Sequence, residues 1–234
     1  MTLRLAVFAS GSGTNFQALF DRFNRRDDAA ATVALLVTDR DEAGANARAS
    51  AAGVPATVIP AAGRPPADIA AEMLTLLEHH AIDAVALAGY LRLVPEPVVA
   101  AFRGRMLNIH PALLPAFGGK GMYGARVHRA VLDAGCLITG ATVHYVDERY
   151  DEGRTLAQWP VPVLRGDTVD SLAARVLRVE HALYPAGIEL LARTLEVGTA
   201  PPEGFDHRSG LLGFSWTPDA EVQERDIRRT FGLD

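Results

Sequence analysis

The sequence contains a single cysteine, Cys136, and no excess of positive charge. One cysteine excludes an intramolecular disulfide and a metal site built from several thiolates, and it is typical of a reducing compartment. The 23 Lys and Arg residues against 28 Asp and Glu residues leave a net charge of −5. We therefore expect no general attraction to nucleic acid or to an anionic membrane, so that small anionic ligands would need local binding devices.

Long apolar runs are also missing from the sequence. No stretch approaches the roughly 18 apolar residues of a membrane-spanning helix, and the apolar run near Met1 is too short for a secretory signal. These features predict a cytoplasmic protein that binds neither membranes nor nucleic acid. With 49% hydrophobic and 22% charged residues among 234, the chain has the composition of a folded globular protein.

Short apolar runs alternate with helical patterns through the first half of the chain. This alternation predicts an α/β fold with a mostly parallel sheet, and the nearly continuous apolar character of the runs predicts helices on both faces. Two strands joined by an acidic turn and then one long helix, over about residues 168–196, are expected after Gly140. The predicted strands are 3–9, 32–38, 55–59, 84–88, 106–109, 141–145 and 155–163, and the earlier helices are 16–25, 43–52 and 67–80.

The segment 198–204 is rich in glycine and proline, which break regular structure. Beyond it, charged residues mix with isolated aromatic residues. We expect one catalytic domain over residues 1–197 and a C-terminal surface extension, 198–234, to which we assign no function.

The first predicted strand leads directly into Ser10-Gly-Ser-Gly-Thr-Asn15 and then into a helical pattern. Free backbone N–H groups at a helix start favour an anion, so this turn predicts a phosphate site. A dinucleotide fingerprint is incomplete because Phe16 occupies the third glycine position, although Asp39 stands where a ribose-binding acid could. Alternatively, the turn holds no ligand and Thr14 or Asn15 caps the helix.

Asn108 and His110 lie two residues apart at the end of a predicted strand that Pro111 stops. They would project to the same side, at the sheet edge where ligands bind in open α/β folds. An amide beside an imidazole suits the stabilisation of an oxyanion. The alternative is that both residues merely satisfy a loop.

The acidic turn at 147–153 could fold over the same edge. A carboxylate near His110 would raise the pKa of its imidazole and hold it protonated, but the residues alone leave open which carboxylate does so. A metal site is not expected, since His110, His128 and His144 fit no compact ligand spacing.

Four short segments follow one another along the chain, and their combination is more specific than any single motif. They are Ser10-Gly-Ser-Gly-Thr-Asn15, Leu87-Ala-Gly-Tyr-Leu-Arg92, Asn108-Ile-His-Pro-Ala-Leu-Leu-Pro115 and Thr139-Gly-Ala-Thr-Val-His144. This combination resembles the phosphoribosylglycinamide formyltransferases of purine biosynthesis over about residues 3–196. The resemblance implies a Rossmann-like formyltransferase fold, 10-formyltetrahydrofolate as the co-substrate, and the amine of 5-phosphoribosylglycinamide as the acceptor.

The resemblance also implies the roles of particular residues. The catalytic group would be Asn108, His110 and Asp151. The substrate phosphate would bind at Gly13, Thr14 and Asn15, and Glu180 would contact the rest of that substrate. The residues assigned to the folate are Arg64, Leu91, Arg92, Leu93, Val94 and Asn108.

The implied mechanism is direct transfer, in which protonated His110 and Asn108 stabilise the oxyanion and Asp151 keeps His110 charged.

Rival activities are formyl transfer to methionyl-tRNA and hydrolysis of formyltetrahydrofolate. The acidic composition without an obvious basic tRNA-binding domain argues against the first rival, and the start of the first strand at Leu3, with no regulatory domain ahead of it, argues against the second. A dinucleotide-binding or ligand-sensing module is the rival from another class. The partners expected are small molecules, and the oligomeric state is left open, with a homodimer as one option.

Overall fold

The computed structural model describes residues 2–197, 217 and 219–233. The strands are β1 (Leu3–Ala9), β2 (Ala31–Thr38), β3 (Ala56–Val58), β4 (Ala84–Leu87), β5 (Met106–His110), β6 (Ile138–Tyr145) and β7 (Thr155–Pro162). The helices are α1 (Thr14–Phe23), α2 (Gly44–Ala52), α3 (Pro66–His79), α4 (Glu96–Ala101), α5 (Ala125–Asp133), α6 (Val169–Val197) and α7 (Ala220–Thr230).

The strands form a seven-stranded sheet in the order β3-β2-β1-β4-β5-β6-β7. β1 pairs in parallel with β2 and β4, β2 with β3, and β4 with β5, whereas β6 and β7 are antiparallel. Parallel neighbours need long crossover connections, and the helices between the early strands supply them. The predicted α/β class with a mostly parallel sheet is confirmed.

The chain divides into two compact units, of which the first comprises Met1–Asn108 and Tyr145–Tyr150. Its core includes Phe8 on β1 and Leu35 on β2, packed with Met73 and Leu77 of α3. The apolar positions of α3 that face this core recur every three to four residues, which is why a helix with an exposed opposite side forms there.

The second unit comprises Ile109–His144 and Asp151–Asp234. Its long helix α6 passes very close to β6, since a Cβ on Gly187 would lie 2.8 Å from a methyl group of Val143. A side chain at residue 187 would therefore push the helix from the strand. The Thr168 hydroxyl caps the start of α6 by accepting a hydrogen bond from the Ser171 amide at 3.2 Å.

Three helices were not predicted from the sequence. The elements α4 and α5 are short and follow proline-rich or glycine-rich segments, and α7 lies in the tail that we expected to be a surface extension. Asp219 caps α7 and Ile227 is fully buried, while Arg228 pairs with Glu189 of α6 at 3.0 Å. The domain boundary near residue 197 stays a prediction, since residues 198–216 lie outside the described part of the chain.

Candidate active site

His110 is the last residue of β5 and is almost completely buried. The strand is one residue longer than predicted, and Pro111 follows it. Asn108 lies two positions earlier on the same strand and is half-buried. Alternation along a strand directs these two side chains to the same side of the sheet.

Asp151 lies beside His110 in the second unit. Its Oδ2 is 3.6 Å from His110 Nδ1, and its Oδ1 is 3.6 Å from His144 Nε2. Asp151 has a φ of 57°, in the left-handed region that Asp tolerates better than most residues. Of the carboxylates in the acidic turn, Asp151 is thus one that contacts His110.

The segment Phe117–Gly119 contacts both members of this pair. The Phe117 carbonyl, which can only accept, lies 2.9 Å from His110 Nε2, so Nε2 carries a hydrogen and donates it. The Gly119 amide donates to Asp151 Oδ2 at 2.8 Å. Gly118 packs closely against Leu114 and Asp151, because an added Cβ would be 2.6 Å from Leu114 Cδ2 and 3.2 Å from Asp151 Cβ. The orientation of both side chains therefore depends on this glycine-rich turn.

The protonation state of His110 differs from the sequence-based expectation. Burial has the largest effect on the pKa of its imidazole and lowers it, as His144 does, whereas Asp151 and the Phe117 carbonyl raise it; the resulting pKa lies below its usual value. A nearby carboxylate does raise the His110 pKa, as expected, but it does not hold the ring protonated in the resting protein. Desolvation outweighs the single charge because nearly all of the ring is removed from water.

The carboxyl group of Asp151 remains ionised in this environment. Burial alone would raise its pKa, but His144, His110 and the Gly119 amide together hold the pKa below its usual value. Asp151 is consequently a weak proton acceptor, and its main electrostatic effect is to stabilise positive charge on a neighbouring imidazole.

Sequence reasoning gave no role to three polar residues near this pair. His144 contacts Asp151 directly, while the Thr142 hydroxyl donates to the Ala112 carbonyl at 2.6 Å and accepts from the Leu114 amide at 3.1 Å. Gln158 donates to the Leu114 carbonyl at 2.9 Å. These bonds attach the turn that follows His110 to β6 and β7. The side chains alternate on strands that looked purely structural, so only the fold reveals their contacts.

The glycine-rich turn in the first unit joins β1 to α1 as predicted. The N-cap of α1 is Gly13, with a φ of 74° and no side-chain hydrogen bond to the helix start, so the alternative in which Thr14 or Asn15 caps the helix is wrong. A Cβ on Gly13 would lie 2.6 Å from the Ala45 Cα. Arg48 of α2, which the sequence did not single out, donates to the Ser12 carbonyl at 2.8 Å and brings a cation to this turn.

The segment 91–94 also belongs to the first unit and follows β4. Leu91 and Leu93 are 39% and 49% exposed, an unusual placement for leucine, whereas Val94 is buried. Arg92 pairs through Nε with Asp39 Oδ2 at 3.0 Å. Because the Asp39 carboxylate is completely buried and is also bound by Arg40, it is not accessible as a ribose-binding acid.

Two further residues with predicted roles lie elsewhere. Arg64 pairs with Glu72 at 2.6 Å and donates to the Pro60 carbonyl, within the first unit. Glu180 is buried on α6, within the second unit. The role of Arg64 in folate binding and the role of Glu180 in substrate binding both stay predictions.

Among the described residues, no group of three or more His, Cys, Asp or Glu side chains is arranged to hold a metal ion. The same part of the chain contains no helix long and apolar enough to cross a membrane.

Comparison with known proteins places these features in a family. Residues 3–188 match the family described as Formyl transferase. Phosphoribosylglycinamide formyltransferase from Bacillus subtilis (strain 168) is 36% identical over 189 residues, which is 80% of this chain and 94% of that protein. The chloroplastic phosphoribosylglycinamide formyltransferase of Arabidopsis thaliana is 48% identical over 183 residues, covering 77% of this chain. The chain spans 62% of the length of that plant relative.

A solved structure leads to the same family. Glycinamide ribonucleotide transformylase 1 from Geobacillus kaustophilus superposes with a TM-score of 0.75 at 45% identity, covering 82% of this chain and all of that one. The match includes the strand end with Asn108 and His110 and the glycine-rich turn after β1. The chain therefore belongs to the formyl transferase family.

Proposed function

We propose that this protein transfers the formyl group of 10-formyltetrahydrofolate to the amine of 5-phosphoribosylglycinamide, a step of purine biosynthesis. The observation that carries the proposal is the buried pair of His110 and Asp151, 3.6 Å apart, in a chain of the formyl transferase family. The names of the relatives from Bacillus subtilis and Arabidopsis thaliana support the choice of acceptor.

The chemistry begins with attack of the neutral amine on the formyl carbon, which forms a carbon–nitrogen bond and an oxyanion. Neutral His110 then takes a proton from the attacking nitrogen, directly or through water, because its base strength exceeds that of Asp151. Asp151 stabilises the imidazolium that forms, as their 3.6 Å separation favours. The order of events thus differs from the sequence-based scheme, in which His110 starts protonated.

The tetrahedral intermediate next collapses toward products. The Asn108 amide donates to the oxyanion and the positive charge of the His110 imidazolium stabilises it, which lowers the barrier because both groups are already oriented. The imidazolium then returns its proton to the leaving nitrogen of the folate as that carbon–nitrogen bond breaks. The proton balance closes without an external acid, and holding both reactants at close range removes the need for a covalent enzyme intermediate.

Binding of the two reactants uses separate features. The phosphate would lie at Gly13, Thr14 and Asn15, where the α1 start has no side-chain cap and Arg48 adds positive charge. The exposed leucines Leu91 and Leu93 fit a flat, largely apolar folate ring, with Arg92 and Val94 in the same segment. Further contacts are proposed from Asn108 and Arg64 to the folate, and from Glu180 to the phosphorylated substrate.

The assay that tests this function follows tetrahydrofolate release from 10-formyltetrahydrofolate, with and without 5-phosphoribosylglycinamide. We expect release that requires the amine, with one formylated product for each tetrahydrofolate. Release that proceeds equally without the amine would instead identify a hydrolase.

The cytoplasm is the proposed location, because a single cysteine suits a reducing compartment.

A further inference from the structure

Asp39 directly follows β2 in the first unit and has a completely buried carboxylate. Arg40 approaches it with Nε at 3.2 Å and a terminal nitrogen at 3.0 Å, and Arg92 approaches with Nε at 3.0 Å. A buried carboxylate is costly unless it is paired and hydrogen-bonded, and this one has two cationic partners.

The carboxylate of Asp39 is ionised despite its burial. Burial alone would raise its pKa, yet hydrogen bonds from Arg40, the Ser10 hydroxyl and Arg92 hold the pKa below its usual value. A permanent negative charge at this point gives the two arginines and the hydroxyl a fixed orientation.

Two of these three partners lead to the segment 91–94. Arg92 is bound through its side chain, and about half of that side chain stays exposed. Ser10 accepts a hydrogen bond from the Leu91 amide at 2.9 Å while its hydroxyl bonds to Asp39. Asp39 therefore holds the backbone of Leu91 through Ser10 and the guanidinium of Arg92 directly.

The third partner, Arg40, is adjacent in sequence to Asp39 and contacts the same carboxylate, with 42% of its side chain exposed. Loss of Arg40 would leave the bonds from Asp39 to Ser10 and Arg92 in place. A variant of Arg40 therefore removes an ion pair of Asp39 without changing the contacts of the segment 91–94, and it serves as a control for variants of Asp39.

We propose that Asp39 is a positioning residue for the folate co-substrate, fixing Leu91 and Arg92 in the orientation that binds it. This inference rests on the proposed function. Asp39 itself contacts neither reactant, so its effect is on the binding of the folate and not on the chemical step.

The test compares Asp39→Asn with the matched variant Arg40→Ala in steady-state formyl transfer. For Asp39→Asn we expect the KM for 10-formyltetrahydrofolate to rise about tenfold, as loss of one charge-assisted hydrogen bond would cause. The kcat at saturating folate and the KM for 5-phosphoribosylglycinamide should stay within about twofold of the unmodified protein. Arg40→Ala should leave all three values within about twofold, because the contacts to Ser10 and Arg92 remain.

A double-mutant cycle with Arg92→Leu checks that Asp39 acts through this segment. Binding of 5-formyltetrahydrofolate, a stable folate probe, is measured by calorimetry for each variant. We expect Asp39→Asn to weaken binding by a smaller factor in the Arg92→Leu background than in the unmodified protein, since the two residues share one interaction. Equal factors in both backgrounds would overturn the coupling.

The outcomes distinguish this inference from the proposed function. An unmodified protein that transfers the formyl group, together with an Asp39→Asn variant of unchanged folate KM, would overturn the inference alone. An unmodified protein that neither binds the probe nor releases tetrahydrofolate would overturn both. Should Asp39→Asn fail to fold, Ser10→Ala carries the test, with an expected rise of about threefold in folate KM and no change in kcat.

Discussion

His110 Nδ1 lies 3.6 Å from Asp151 Oδ2, and both side chains are largely withdrawn from water. Two opposing effects meet in this pair, because burial lowers the pKa of His110 while Asp151 raises it. Burial prevails in the resting protein, so the imidazole is neutral and able to accept a proton. Once protonated, it has an anionic partner already in place.

Replacement of His110 by Ala should lower kcat by roughly 10² to 10⁴, the usual contribution of a general acid–base group. The measurement is the initial rate of tetrahydrofolate release at saturating concentrations of both reactants. His79→Ala removes an exposed imidazole at the end of α3 and serves as the control, with an unchanged rate. A His110→Ala rate within about threefold of the unmodified protein would remove His110 from the mechanism.

The pH dependence of kcat/KM should report the neutral state of His110. Activity is expected to be constant from about pH 8 down to the ordinary histidine pKa of 6.5 and to fall below it, because protonation of His110 removes the proton acceptor. Asp151→Asn should shift this acid limb to still lower pH, since Asp151 raises the His110 pKa. A limb centred above pH 7 would show that His110 is protonated in the resting protein at neutral pH.

Gly118→Ala should disturb the pair of His110 and Asp151 without removing any polar group. Its Cβ would clash with Leu114 and press on Asp151, so we expect kcat to fall about tenfold as Asp151 moves from His110. Ala116→Ser changes an exposed position on the same turn and is the comparison variant. Equal rates for both variants would mean that the turn adapts without displacing Asp151.

Gly13→Ala should weaken binding of the phosphorylated substrate. The added Cβ would lie 2.6 Å from Ala45, and Gly13 has a φ of 74°, so the turn must move. We expect the KM for 5-phosphoribosylglycinamide to rise at least about tenfold, with little change in the KM for the folate. Gly53→Ala carries the same kind of backbone strain, with a φ of 68°, but has open space around it and should leave both KM values unchanged.

His128 provides a test of stability against pH. Burial, with a smaller effect from His110, lowers the pKa of this imidazole from 6.5 to about 4, and its Nδ1 has no hydrogen-bond partner among the described residues. Below pH 6.5 His128 therefore binds a proton in the unfolded chain but not in the folded chain. The free energy of unfolding falls as the pH drops through 6.5. Between pH 7.5 and 5 the loss attributable to His128 should be about 2 kcal/mol.

Urea unfolding at these two pH values, for the unmodified protein and His128→Gln, measures that contribution. The variant should show a pH-dependent loss of stability smaller by about 2 kcal/mol, whatever its absolute stability. Identical losses in the two proteins would indicate that His128 has the same pKa in the folded and the unfolded chain.

The order of strands and helices in the first half of the chain follows from the sequence. Apolar runs at 3–9 and 84–88 correspond to β1 and β4, since strands buried on both faces need continuous apolar segments. The short helix α4 and the tail helix α7 escaped prediction because α4 is a single short segment after a proline and α7 depends on packing against α6. Intrinsic helical preference is too weak to define such elements without their neighbours.

By itself, the sequence determined the chemical groups available to this protein: an amide and an imidazole at a strand end, an acidic turn, and a glycine-rich turn before a helix. Only the tertiary structure decided that Asp151 contacts His110, that His110 is neutral at rest, and that Asp39 is bound to Ser10 and Arg92. Distance and desolvation set these properties, and both arise when segments far apart in the chain pack together and exclude water.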